Sequence, residues 1–93
     1  MMSAHKILPL QDTLEFPILH FFDEAVEWID SKRKDGHNVL VHCHAGVSRS
    51  ATIVVAYLMR FKGWTAFEAL SYVRLRRERA KPNASFWNQL LEY

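Results

Sequence analysis

Cysteine is nearly absent from this chain. Cys43 stands alone among 93 residues, which excludes an internal disulfide framework and fits a reducing compartment. Glycine and proline are scarce, three of each, and no Pro/Gly/Ser-rich linker divides the sequence. Repeats and low-complexity tracts are missing too, so the chain reads as one small domain with a modest core. No stretch approaches the roughly 20 apolar residues of a membrane helix. The opening MMSAHKILPLQD lacks the apolar run of a signal peptide. The formal net charge is only +2, too balanced for the chain as a whole to read as a nucleic-acid binder. These absences predict a soluble intracellular protein, cytoplasmic with the nucleus left open, and no nucleic-acid or membrane partner.

What is present is a globular composition, 49% hydrophobic and 24% charged. Lys6–Leu10 (KILPL) reads as a short strand, with Pro9 favouring an edge. From Pro17 to Lys34, the apolar residues Ile18, Phe22, Ala25, Val26 and Ile29 recur at helical spacing, and Gly36 and Asn38 punctuate the end. Val39–His42 (VLVH) is brief, β-branched and apolar, the pattern of a buried strand. Arg49–Phe61 is nearly all apolar, which predicts a central helix stopped by Gly63. Thr65 and Glu68 have the spacing of a capping box opening a helix to about Arg77. After Pro82-Asn83 a last helix runs over Ala84–Tyr93. Strand, turn, buried helix and further helices predict an α/β fold.

The turn between that strand and that helix is HCHAGVSRS, His42 to Ser50. Ligands of open α/β sheets sit beyond the carboxyl end of a strand, where turn amides and the free N–H groups of a helix converge on an anion. Gly46 permits the tight backbone path. At a helix N-terminus beside Arg49, the Cys43 thiol is drawn toward the thiolate, which attacks electrophiles such as phosphorus. Taken alone, the cysteine reads rather as a small buried core residue, the commoner fate of a lone cysteine. Arg49 weighs against that: five residues separate it from Cys43, and its planar fork matches two phosphate oxygens. Positive charge is disfavoured at a helix start, so Arg49 points to a compensating anion.

The stretch from His42 to Ser50 resembles the H-C-x-x-G-x-x-R-[ST] loop of cysteine-dependent protein phosphatases. The segments VLVHC, AGVSRSAT, AYLM, Glu68–Val73, Arg77 and PNASFWNQL resemble the dual-specificity branch in particular. That resemblance implies a protein-tyrosine-phosphatase-like fold, with a short, mainly parallel sheet packed with helices and the phosphate loop between a buried strand and a buried helix. It implies a catalytic domain, here partial, over residues 1–93. Cys43 is then the nucleophile that becomes a phosphocysteine. Arg49 and the amides of His44, Ala45, Gly46, Val47, Ser48 and Arg49 hold the phosphate oxygens. Ser50 hydrogen-bonds the cysteine sulfur, and His42 orders the loop. The family's general acid lies some thirty residues upstream of the cysteine. Asp12, 31 positions before Cys43 and just after KILPL, fits it. Asp23, Asp30 and Asp35 fall in or after a helix and read as solvated surface charges.

No cofactor and no metal are expected. His42 and His44 flank Cys43, but neighbours on a strand face opposite sides and no second Cys/His pair follows. The basic cluster Arg74, Arg76, Arg77, Arg79 and Lys81 reads equally as a solvated surface and as a steering patch for acidic substrates. The three tryptophans read as packing anchors.

Two features depart from the family pattern. The variable loop positions His44, Ala45 and Val47 carry no lysine, which favours protein phosphate over phosphoinositide. The sequence also opens at the acid loop, where family domains place further strands and a helix first. The expected VLVH strand is thereby short of neighbours, and self-association through the sheet edge is one way to supply them. Three functions compete. The first is a protein phosphatase acting on phosphotyrosine and phosphoserine/threonine, with phosphorylated protein as its partner. The second is a phosphopeptide- or partner-binding module with weak turnover. The third is another cysteine enzyme of the arsenate reductase or sulfurtransferase kind, and the lack of a resolving cysteine disfavours the arsenate case.

Overall fold

Among the described residues four α-helices carry the core, and most of their ends are set by identifiable chemistry. The computed structural model describes residues 5–43 and 47–93. Helix α1 spans Leu19–Lys34, α2 Arg49–Lys62, α3 Ala66–Arg76 and α4 Ala84–Glu92. Helix α2 lies at the centre and packs against the other three, while α4 also touches α1. That position explains its composition. Ser50 to Ile53 and Val55 to Leu58 are all buried, so almost every face of its first half meets protein.

Helix α1 is amphipathic and buries Phe22, Ala25, Val26 and Ile29. Its N-cap, Ile18, has no side-chain oxygen to offer the first free N–H groups. Gln89 on α4 takes that role from a distance: its Oε1 accepts from Leu19 N at 2.9 Å, and its Nε2 donates to Phe16 O at 3.1 Å. Lys32, Arg33 and Lys34 fill the last turn of α1, the end where the helix dipole favours cations. Gly36 follows at φ 87°, and Gly63 ends α2 at φ 69°, both in the left-handed region that suits glycine. Helix α3 opens on the reciprocal capping box, with Glu68 N donating to Thr65 Oγ1 and Thr65 N donating to Glu68 Oε1.

The expected sheet is absent. No strand occurs among the described residues, so the short parallel sheet packed with helices is corrected to an all-helical core flanked by extended segments. The physical reason lies in the pairing. A strand exists only when a neighbour's N–H and C=O groups meet its own, and KILPL does not meet VLVH. A cavity of about 550 Å³ separates them, lined by Leu8 and Leu10 on one side and Val39, Leu40 and Val41 on the other. Around Pro9 the chain closes a local bond instead, Leu10 N to Leu8 O at 2.8 Å. Val39 and Val41 are half-buried while Leu40 is 83% exposed, so the segment keeps the alternation of a strand without its partners. Among the described residues, no helix is long and apolar enough to cross a membrane.

Candidate active site

The extended segment 39–43 leads into the head of α2 and brings Cys43 beside Ser50. Ser50 N donates to Cys43 Sγ at 3.4 Å, and Cys43 Sγ donates to Ser50 Oγ at 3.4 Å. The sulfur is half-buried and the serine buried, so this pair is shielded on the protein side. Both contacts come from the first turn of α2, where backbone N–H groups have no partner within the helix. Such N–H groups favour negative charge placed against them.

Arg49 opens α2, and its side chain turns toward the KILPL segment. Nη1 donates to the Leu10 carbonyl at 3.1 Å, while Nε is buried and makes no hydrogen bond among the described residues. The expected loop ligands His44, Ala45 and Gly46 lie outside the described residues. Val47 and Ser48 are described, and both are anchored from the far side of the chain. The Val47 carbonyl accepts from Lys81 N, and Ser48 Oγ accepts from Asn83 N at 3.0 Å. The Ser48 carbonyl accepts from Thr52 N at 2.9 Å and from Thr52 Oγ1 at 2.7 Å. Four bonds therefore fix the two residues entering α2. His42 is exposed and lines the cavity between the extended segments.

Asp12 is exposed and receives one donor, Asn83 Nδ2, at 3.0 Å from its Oδ1. The same amide nitrogen reaches the Thr13 carbonyl at 3.3 Å, and Asn83 Oδ1 caps α4 by accepting from Phe86 N at 2.8 Å. Asn83 thus joins the Asp12 loop, the Ser48 hydroxyl and the start of α4 in one residue. Reading the sequence for chemistry passed over it. The Pro-Asn dipeptide before a helix was the available signal, because asparagine is a preferred N-cap. Its reach to Asp12, 71 positions away, has no sequence signature.

The arrangement places a thiol, a hydroxyl and free helix N–H groups together, with a guanidinium at the same helix head. Such a cluster suits a tetrahedral oxyanion. A family model described as the dual specificity phosphatase catalytic domain matches residues 2–93. The chain is 46% identical over 89 residues to dual specificity protein phosphatase 5 of Rattus norvegicus, covering 96% of this chain and 23% of that protein. It is 45% identical over 87 residues to dual specificity protein phosphatase 1 of Arabidopsis thaliana, covering 94% of this chain and 44% of that one. Among solved structures, the human tyrosine phosphatase-like serine/threonine/tyrosine-interacting protein superposes with a TM-score of 0.86 at 43% identity. That match covers 89% of this chain and 55% of the other. The chain spans about a quarter of the length of dual specificity protein phosphatases 5 and 1 of Homo sapiens. By sequence and by fold, the chain belongs to the dual specificity phosphatase catalytic-domain family.

Proposed function

We propose that this chain hydrolyses phosphotyrosine and phosphoserine/threonine in proteins through a phosphocysteine intermediate, without a cofactor. One observation carries the reading: Cys43 Sγ lies 3.4 Å from both the amide and the hydroxyl of Ser50 at the head of α2. In the first step the Cys43 thiolate attacks phosphorus, a P–S bond forms and the P–O bond to the leaving group breaks. Asp12 gives its proton to the departing oxygen. Water then attacks phosphorus with Asp12 as the base, the P–S bond breaks, and sulfur leaves as thiolate. Ser50 Oγ donates to that sulfur and eases its departure.

Arg49 contributes by exchanging the Leu10 carbonyl for two phosphate oxygens, a trade that also gives its buried Nε an acceptor. The loop amides of residues 44–49 supply the remaining donors. His42 acts on loop order rather than as a base. The partner is a phosphorylated protein, and phosphoprotein over phosphoinositide follows from the absence of lysine at His44, Ala45 and Val47. The site is cytoplasmic or nuclear in this reading.

A second reading draws on one observation, the engagement of Arg49 with Leu10. An arginine that stays there leaves a module that grips a phosphopeptide or partner with little turnover. The human structural relative bears a name describing it as tyrosine phosphatase-like and interacting. Hydrolysis of a small aryl phosphate by the purified chain in the presence of a chelator decides between the two. Metal-independent turnover supports the enzyme. Phosphopeptide binding without turnover supports the module.

A further inference from the structure

A second concavity, of about 870 Å³, opens on the other side of Val47 and Ser48. One wall is apolar and is formed by Phe67, Leu70 and Trp87, with Phe67 and Trp87 ring centroids 5.1 Å apart in an edge-to-face pair. Phe67 is 69% exposed although it is a large aromatic side chain. The lining also carries Arg74, on the same face of α3 as Phe67 and Leu70, and Arg79 and Lys81 from the segment that follows α3. Asp12 is the acidic residue of this lining, and Asn83 already engages it.

The backbone that carries these cations is held against the site. The Arg74 Nε donates to the Ala80 carbonyl at 2.9 Å, which folds the 77–80 turn back on α3. Lys81 N donates to the Val47 carbonyl, so the segment is bonded directly to the phosphate loop. Among the described residues, Arg79 and Lys81 form no ion pair. Two unneutralised cations and a third beside them, on a groove continuous with Asp12 and Ser48, call for a negative partner.

We infer that this groove is a specificity site that reads acidic residues flanking the phosphorylated residue. Carboxylates meet Arg79 and Lys81, and an apolar neighbour rests on the exposed face of Phe67 and Trp87. The inference rests on the phosphatase-family reading of the Cys43 loop, since it takes the phosphate to be seated there.

The test uses the Cys43→Ser chain and labelled phosphotyrosine peptides whose flanks carry glutamate or glutamine, on either side of the phosphotyrosine. The expected result is about five-fold tighter binding of a glutamate-flanked peptide, the size two exposed charge pairs supply. That preference should shrink as salt is raised. In the Arg79→Gln, Lys81→Gln double variant the preference should vanish, with the glutamine-flanked peptide bound as before. Equal affinity for both peptides in the Cys43→Ser chain overturns the inference, as does a preference that survives in the double variant. An unphosphorylated glutamate peptide binding as tightly as its phosphorylated form overturns the phosphate reading and leaves the acidic groove standing.

Discussion

The Arg49 guanidinium donates from Nη1 to the Leu10 carbonyl at 3.1 Å, which ties the head of α2 to the segment that leads into Asp12. Leu10 and Asp12 are two residues apart, so the residue assigned to phosphate binding is bonded to the stretch of backbone that carries the residue assigned to proton donation. The bond satisfies one donor of Arg49, and among the described residues buried Nε has no acceptor. A buried unpaired donor costs about 1–3 kcal/mol, which favours rotation of this side chain toward an oxyanion when one arrives.

Tungstate, a tetrahedral oxyanion, should therefore raise the melting temperature of the chain and of its Cys43→Ser variant. Arg49→Lys should lose most of that rise, because a point charge cannot make the two-pronged contact. Turnover of an aryl phosphate should fall about 10²–10³-fold in Arg49→Lys, the loss expected on removing one donor aimed at developing charge. Unchanged tungstate stabilisation in Arg49→Lys would leave Arg49 as a tether to Leu10 and nothing more.

Asp12 and Asn83 make a linked pair of expectations. Asp12→Asn should slow alkyl phosphoesters steeply and activated aryl esters far less, since only a poor leaving group needs the proton. Asn83→Ala removes both the α4 cap and the donor to Asp12, so it should cost about 1 kcal/mol of stability and show the same leaving-group pattern. Asn83→Ser separates the two roles. A serine caps the helix nearly as well but is too short to serve Asp12, so stability should return while the leaving-group pattern persists. Full recovery of both in Asn83→Ser would show that the amide contact to Asp12 is idle.

Much of this architecture is legible in the sequence because it rests on local rules. The apolar spacing of α1, the near-continuous apolar run of α2, the Thr65–Glu68 box and Gly63 each act within a few residues. What was not legible depends on distant partners. Gln89 completes the start of α1 from 70 positions away, and Asn83 holds Asp12 from 71. The sheet failed for the same reason. Val39–Val41 has strand composition, but composition does not provide the neighbouring backbone that a ladder requires. The Cys43–Ser50 contact sits between these cases, a seven-residue separation closed by a loop whose spacing the motif itself encodes.

The unpaired extended segments have a consequence in solution. Leu40, which lines the open cavity, is 83% exposed, and Ile7, in the KILPL segment, is 81% exposed. Among the described residues, the backbone of 38–42 makes no hydrogen bond to another backbone group. Such a segment is a template for pairing with another chain, and a net charge of +2 opposes association only weakly. Sedimentation should show concentration-dependent self-association, and the melting temperature should rise with protein concentration. A monomer with a high, concentration-independent melting temperature would count against this.

At alkaline pH, Tyr93 should mark the α1–α4 contact. Burial first, then its 2.9 Å donation to Asp23, hold the phenol above its ordinary value near 10, with Arg60 opposing in part. The folded state thus keeps a proton that the unfolded chain gives up. The stability Tyr93 adds is complete below pH about 10 and is lost as pH rises through the folded value. Tyr93→Phe should flatten that part of the stability-versus-pH curve relative to the parent chain. Identical slopes between pH about 9.5 and 11 would remove Tyr93 as the cause.

The most direct measurement is chemical. The purified chain is mixed with an aryl phosphate, quenched in acid within milliseconds to seconds, digested and analysed by mass spectrometry. The account predicts one phosphoryl group on the Cys43 peptide, and more of it in Asp12→Asn, where the attack of water lacks its base. No such adduct should form in Cys43→Ser. Aryl phosphate hydrolysis that continues in Cys43→Ser, or a phosphoryl group found only on another residue, would contradict it.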